Sequence, residues 1–352
     1  MTRTERLAAH TDVATSLALL SDRELAGLVE SGTPLGTGIG GRSALVEMDG
    51  RRVFVKRVPL TDVELRPENV RSTANLLGLP AYFHYGIGSP GFGAWRELAV
   101  HTMTTNWVLA DRFQGFPLTY HWRVLPDTPQ PPHELLADLE RAVAYWGGGP
   151  QVRVRLEGLR TASASLVLFL EYVPHTLSDW LDARVRTDDA DAACAFVEKE
   201  LTAVTGFLRE ERLLHFDAHF QNFLTDGQRL YLADYGLALS ARFPLTPQER
   251  DFFERHRDYD RVYTAFHYVN WLATALYGHD RDGREAFVRA CADGEPARGI
   301  PRAAAAIIER YAPLAAVMGD FARRLQNESR LTPFPDADLR LAQEGAGMPA
   351  SR

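Results

Sequence analysis

At 352 residues, with 45% hydrophobic and 24% charged residues, the chain has the balance of a folded globular protein, which excludes disorder or fibrous structure as a whole-chain description. Domains commonly run about 100–200 residues, so this length implies two domains or one two-lobed unit. Thirty-nine Lys and Arg against 46 Asp and Glu leave a net charge of −7. No global basic field therefore points to nucleic acid or an anionic membrane, and neither is expected as a partner. Cys194 and Cys291 are the only cysteines. Their spacing gives neither a disulfide framework nor a zinc motif, and a reducing cytoplasm fits best. The apolar stretch 13–20 is broken by Thr15 and Ser16, which argues against a secretory signal, and no run of about 18 apolar residues suggests a spanning helix. Of the 39 basic residues, 37 are Arg and only Lys56 and Lys199 are Lys. A lysine in so arginine-rich a chain draws attention, because ammonium and guanidinium differ in shape, hydration and reach.

Ser21-Asp-Arg-Glu24 reads as a capping box that opens a short amphipathic helix, so residues 1–33 form a helical extension. The chain then turns glycine-rich, Leu35-Gly-Thr-Gly-Ile-Gly-Gly41. Two β-prone runs, 44–48 and 52–58, flank Asp49-Gly50, a strong hairpin signal. A loop and helix-like stretch over 62–77 leads through the glycines of 85–93 to a helix over 95–109. A β-prone run follows at 118–125. Residues 126–160 read as an insertion with a Pro-rich loop, a helix over 133–146, a triple-glycine break and an arginine-bearing strand. Residues 165–173 form a buried-strand candidate that stops at Pro174. Beyond it the pattern is helical over 177–183, 190–211, 259–277, 283–292 and 303–325, with one β-prone patch at 223–232. The expected fold class is α+β, with a β-rich first lobe over 34–173, a helical second lobe over 174–331, and a Pro/Gly/Ala-rich flexible tail over 332–352.

The most informative stretch is His215-Phe-Asp-Ala-His-Phe-Gln-Asn222, followed by Asp234-Tyr-Gly236. Asp226-Gly227 lies between two short β-prone pieces, so Asn222 and Asp234 flank a hairpin and are expected to face one site. This set of residues at this spacing resembles the catalytic loop and the Asp-Phe-Gly segment of the protein-kinase-like superfamily. Further matches run N-terminal to it in the same order. Gly36, Gly38 and Gly41 fit the glycine-rich loop that covers nucleotide phosphates, and Val53-Phe-Val-Lys56 fits the strand whose lysine grips them. A dinucleotide-binding reading of those glycines needs a helix after them, whereas a hairpin follows.

The resemblance implies a two-lobed protein-kinase-like fold and an ATP- and magnesium-dependent phosphotransferase. It makes Asp217 the residue that orients the acceptor hydroxyl, and Asn222 and Asp234 the magnesium ligands. It also asks for a helix glutamate on Lys56. Glu97 has the better helical context, while Glu68 and Glu64 are nearer but share a segment with Pro67. Glu171 and Val173 fall on the linker whose backbone meets the adenine edge, and Asp258 or Asp260 on the acid that anchors the catalytic loop. Lys199, between Glu198 and Glu200, reads as a solvated surface residue. His215 and His219 also stand at i and i+4, the spacing of a zinc pair, although the kinase pattern explains their neighbours better.

The acceptor is less sharply indicated. His219, two residues after Asp217, gives the form His-x-Asp-x-His-x-x-Asn, which resembles the aminoglycoside and choline phosphotransferase branch. No Ala-Pro-Glu follows Asp234-Tyr-Gly236, so the peptide-docking segment of Ser/Thr protein kinases is not evident. A small-molecule alcohol is thus favoured over a Ser or Thr side chain of a protein or peptide. A nucleotide-binding pseudokinase is the alternative outside catalysis, although no catalytic position is missing.

Overall fold

The computed structural model describes residues 2–345 apart from 39, 87 and 130–132. The chain divides into two compact units, Met1–Val173 with Ala233–Thr246, and Pro174–Leu232 with Pro247–Arg352. It is mixed α+β, with a five-stranded antiparallel sheet in the N-terminal region and a helical C-terminal part. The segment 233–246, read from sequence as part of the second lobe, groups with the first unit. Among the described residues no helix is long and apolar enough to cross a membrane.

The first unit opens with α1 (Arg3–Leu19) and α2 (Asp22–Ser31), each started by a capping box, Thr2 with Glu5 and Ser21 with Glu24. The sheet comprises β1 (Thr33–Gly38), β2 (Gly41–Met48), β3 (Arg51–Leu60), β4 (Thr119–Pro126) and β5 (Ala164–Glu171), in the order β1-β2-β3-β5-β4. Asp49 and Gly50, both at positive φ, turn β2 into β3. Along a strand alternate residues share a face. Val58 and Leu60 of β3, with Leu166, Leu168 and Leu170 of β5, pack on Ala94, Trp95 and Leu98 of α4 (Ala94–Leu109). Lys56 has the parity of Val58 and sits opposite Leu168, so the strand delivers its side chain to the α4 side. Between β3 and α4 stand the single turn α3 (Asp62–Leu65) and a 3-10 turn, Pro67–Asn69. The helix-like stretch expected over 62–77 is cut short where Pro67 cannot continue it.

The insertion differs from its sequence reading in two places. The expected helix over 133–146 is two short ones, α5 (Glu134–Ala137) and α6 (Leu139–Tyr145), split where Asp138 leaves helical geometry to cap α6. The expected arginine-bearing strand is a helix, α7 (Pro150–Arg160). Val152-Arg-Val-Arg155 alternates like a strand, but Pro150 starts a helix, and Val152 and Leu156 one turn apart enter an apolar cluster with Phe83, Phe92 and Trp146. Residues 130–132 of the Pro-rich loop lie outside the described residues.

In the second unit β6 (His175–Thr176), α8 (Leu177–Asp182), α9 (Ala190–Glu210) and β7 (Leu213–Leu214) precede the hairpin of β8 (Phe223–Thr225) and β9 (Leu230–Leu232). After β9 the chain contributes 233–246, with β10 (Leu239–Ser240), to the first unit, and returns as α10 (Pro247–Arg255). The remaining helices are α11 (Tyr259–Tyr277), α12 (Arg281–Ala292), α13 (Arg302–Asn327) and α14 (Asp336–Gly345). α13 packs on α9, α11 and α12, burying Ile307, Ile308, Leu314, Met318 and Phe321. The flexible tail expected from 332 is corrected up to 345. Phe334 stacks on His256 and Leu339 is buried, so this segment has apolar side chains to dock through α14. Residues 346–352 of the tail lie outside the described residues.

One buried ion pair ties the N-terminal extension to the sheet. Arg6 of α1 is fully buried and donates twice to Glu171 at the end of β5, at 2.8 and 2.7 Å, and once more to the Phe116 carbonyl at 2.7 Å. Removing one partner of such a pair leaves a charge buried alone. Arg6→Ala is expected to lower unfolding free energy by about 3–5 kcal/mol, and the apolar double variant Arg6→Met/Glu171→Leu to recover only part of it, because the Leu118 amide and the Phe116 carbonyl lose side-chain partners. Urea denaturation midpoints measure both. A loss under about 0.5 kcal/mol in the single variant would mean the pair holds nothing.

Candidate functional site

In the first unit the candidate side chains gather around one ammonium. Lys56 Nζ lies 2.7 Å from Glu97 Oε1 and 2.8 Å from Asp234 Oδ1. Burial works against its charge, but Asp234 and Glu97 outweigh that cost and hold its pKa above the usual lysine value. The lysine reaches them because β3 aims it at α4, and Glu97 stands in the first turns of that helix. Glu97, His101 and Thr104 share one helix face. Glu97 meets Lys56, the His101 ring meets Tyr235 edge-on at 4.6 Å, and Thr104 hydrogen-bonds the Tyr235 hydroxyl. One face of α4 thus holds both the lysine and the segment that carries Asp234. Of the other glutamates weighed for Lys56, Glu68 is exposed on the 3-10 turn, and Glu64 is buried with partners of its own.

The glycines lie where β1 turns into β2. Gly38 pairs with Gly41 across the hairpin, and a bulge falls between Pro34 and Gly36. Residue 39 lies outside the described residues. Gly41 must be glycine, since at φ 132° a Cβ would stand 2.0 Å from the Arg57 carbonyl oxygen. No heavy atom stands within 4 Å of a Cβ built at Gly36 or Gly38. The glycine that approaches the charged centre is one the motif skips. A Cβ on Gly40 would come 3.4 Å from Lys56 Nζ. Its only signal in the sequence is the Gly40-Gly41 pair.

β5 ends at Glu171, and Val173 follows it outside the sheet. The Glu171 side chain serves a structural purpose. It is buried under Arg6 and accepts the Leu118 amide at 3.0 Å, while its own amide donates to the Leu118 carbonyl at 2.8 Å. Of its backbone polar groups only the carbonyl could face a ligand. Nothing local in the sequence marks Arg6 for a partner 165 residues away.

In the second unit the loop before β8 is built around Asp217. Phe216 takes left-handed backbone, φ 65°, sparsely allowed for a bulky residue. Asp260 of α11 fixes it by accepting the amides of His215 and Phe216 at 2.6 and 2.8 Å, so of the two acids weighed as anchor, Asp260 is the one on the loop. Asn222 donates to the Asp217 carbonyl at 2.9 Å and to its Oδ2 at 3.1 Å. Both acceptors lack a proton, so the amide nitrogen must face them, and the Asn222 Oδ1 is the side-chain atom turned away from Asp217. His219 Nδ1 accepts the Gln221 amide at 3.3 Å, which places the ring proton on Nε2, 3.6 Å from Asp217 Oδ2. Tyr263 completes the surroundings. Burial first, then the nearby Asp217 and Asp260 carboxylates, holds its hydroxyl protonated.

Asp234 also has left-handed backbone, at φ 63°. Two non-glycine residues at positive φ within the motifs mark strain concentrated where chemistry is expected. Among the described residues no group of three or more His, Cys, Asp or Glu is placed to hold a metal ion. His215 Nδ1 accepts the Asp217 amide at 3.2 Å and His219 Nδ1 that of Gln221, so each Nδ1 of the i, i+4 pair is engaged by backbone. Asn222 Oδ1 in the second unit and the half-exposed Asp234 carboxylate in the first are each, taken separately, hard oxygen donors of the type magnesium prefers.

No protein-family model matches the chain, and no curated protein matches it.

Asp260 yields a pH prediction. Burial pushes its pKa up to about 6 against the pull of the two amides. An acid with a raised native pKa stabilises the fold most below its unfolded value, about 4, and that contribution falls as pH rises through the native value. The stability of the native sequence relative to Asp260→Asn should therefore fall between pH about 4 and 6, by up to about 1.4 kcal/mol per pH unit. Urea titrations at several pH values measure the difference. A difference that grows with pH would show that the loop selects the carboxylate.

Proposed function

We propose that the chain is a protein-kinase-like phosphotransferase that moves the γ-phosphoryl group of ATP to a hydroxyl acceptor in a magnesium-dependent reaction. The observation that carries this reading is the buried Lys56 ammonium held by both Glu97 and Asp234. A lysine on a strand, paired with a helix glutamate and with the aspartate of an Asp-x-Gly segment, is the set that grips nucleotide phosphates in that superfamily. Gly36, Gly38 and Gly41 supply the hairpin that covers the phosphates, and Glu171 and Val173 the backbone toward adenine.

In the reaction the acceptor oxygen attacks the γ-phosphorus. The new O–P bond forms as the bond to the β-phosphate bridging oxygen breaks, and the acceptor proton passes to Asp217. Asn222 and Asp260 fix the Asp217 loop for that step. Asn222 and Asp234 would be the residues to hold magnesium, which would supply charge compensation for the phosphate oxygens. Little covalent chemistry is asked of the protein, so positioning and electrostatics do the work.

A small alcohol is the favoured acceptor. Only ten residues, 237–246, separate Gly236 from α10, which leaves little chain on which a peptide could dock. His219 beside Asp217 favours the same branch. Two free, buried cysteines fit a cytoplasmic site of action.

The test is label transfer from γ-labelled ATP with magnesium into a cell extract, separating soluble metabolites from precipitated protein. Label in a soluble product is expected, and label in a protein band would instead make this a Ser/Thr kinase. Asp217→Asn should cut transfer by about 10²–10⁴-fold while leaving magnesium-ATP affinity unchanged. Magnesium-ATP binding without transfer to either fraction would favour a pseudokinase, and turnover unchanged by Asp217→Asn would overturn the assignment of that residue.

A further inference from the structure

The helix that carries Glu97 has no cap of its own. α4 begins after Gly93, which offers no side chain, and its first turns contain the glutamate that holds Lys56. The orphan amides of a helix start need acceptors. Glu64, thirty residues upstream in α3, provides one. Its Oε1 accepts the Ala94 amide at 2.8 Å, and its carbonyl accepts the Trp95 indole N–H at 2.9 Å. Gly93 permits this approach, since a Cβ there would stand 2.7 Å from Glu64 Oε1. The other carboxylate oxygen accepts the Thr61 amide and hydroxyl at 3.0 and 2.7 Å, and pairs with Arg155 Nη1 at 2.9 Å.

Arg155 belongs to α7, in the insertion. It is almost fully buried, and its second terminal nitrogen donates to the Pro90 carbonyl at 3.2 Å, in the loop that leads into α4. Val152 and Leu156 on either side anchor it in the insertion's apolar cluster, and Gly158 lets α7 lie against Thr61. One guanidinium thus grips both the borrowed cap of α4 and the chain just before it.

We propose that Arg155 is a positioning residue: acting through Glu64, it sets the first turns of α4 and so keeps Glu97 on Lys56, which makes the insertion the element that controls this ion pair. The catalytic meaning rests on the phosphotransferase reading of Lys56, but the coupling itself does not. A variant lacking Arg155 leaves the Glu64 carboxylate buried and unpaired, loosens the cap, and lets Glu97 leave the lysine.

Having only two lysines makes this measurable without a substrate. Buried Lys56 and exposed Lys199 can be labelled with an amine-reactive ester and quantified separately by peptide mass spectrometry, Lys199 serving as internal standard. Glu97→Gln sets the level reached when the pair is broken. In folded Arg155→Met the Lys56/Lys199 ratio should rise about threefold or more toward that level. Arg155→Lys, which keeps a cation for Glu64 but gives up the fork to the Pro90 carbonyl, should bring it part of the way back toward the native value. Should Arg155→Met not fold, Glu64→Gln carries the same comparison, because it keeps an acceptor for Ala94 and removes the charge that Arg155 meets. A native ratio in the folded variant, or no recovery in Arg155→Lys, would overturn the proposal. Neither result depends on phosphotransfer, so failure of the enzymatic reading is seen separately in the label-transfer assay.

Discussion

The constraint on which the first unit depends is the charge of a single buried ammonium. Lys56 lies on the sheet face that otherwise carries Val58 and Leu60, and an unpaired ammonium there would lose its hydration without compensation. Two carboxylates make the position tenable, and they come from different places in the chain, Glu97 on α4 and Asp234 at the start of an Asp-x-Gly segment. Sheet, helix and segment 233–246 are therefore held in register by electrostatics as well as by apolar packing. Charge of this kind is demanding, because a pair with one member missing is worse than an apolar contact. The rest of the unit can be read as what keeps both carboxylates in place: the Tyr235 ring and hydroxyl on the far turns of α4, and the Glu64 cap on its first.

The same logic applies to the backbone. Asp234 and Phe216 adopt left-handed conformations that non-glycine residues avoid, at a cost of order 1–3 kcal/mol each. Each is held by a buried or half-buried charge. Asp234 is held through Lys56, and Phe216 through its own amide and that of His215, both bonded to Asp260. Asp260 offers two oxygens to two adjacent N–H groups, which leaves the loop little freedom to relax to an ordinary conformation. Strain of this kind presents Asp217 on a tight turn rather than on a regular element, and Asn222 then orients its carboxylate from five residues further on. Each unit thus pairs a strained motif residue with a deeply placed charge.

How much of this was legible in the sequence follows from the range of the interactions. Elements governed by local pattern could be read: the capping box of α2, the Asp49-Gly50 hairpin, the strand that carries Lys56, the Asp226-Gly227 turn between β8 and β9. Lys56 stood out through composition, as one of two lysines among 37 arginines. What could not be read depends on distant partners or on a misleading local period. The alternation Val152-Arg-Val-Arg155 has the period of a strand, yet α7 is fixed by Pro150 and by apolar contacts with residues about 60 positions upstream. Arg6 and Glu171 carry no mutual signal, and Glu64 resembled a rival for Lys56 when its place is at the head of α4. The docking of 333–345 was hidden by a composition rich in small residues and proline, although Phe334 and Leu339 suffice to bury it.

The division of labour between the two kinds of cation gives these placements a common reason. At the structural joints of the first unit the buried cation is arginine. Arg6 bonds Glu171 through two nitrogens and the Phe116 carbonyl through one, and Arg155 bridges Glu64 and the Pro90 carbonyl. A guanidinium's planar fork suits such joints because several fixed acceptors hold it in one orientation, and exchanging any one of them disturbs the others. An ammonium is a compact charge on a flexible stem with three rotatable donors, so it can trade one oxygen for another with little change in its own position. At Lys56 two carboxylates share it, one nearly buried and one half exposed. Glu97 is the partner that keeps the charge in place, and Asp234 the one whose exposure leaves room for exchange. Under the proposed function, phosphate oxygens are what that exchange would admit, and a chain that uses arginine almost everywhere else would have reason to keep a lysine at this position.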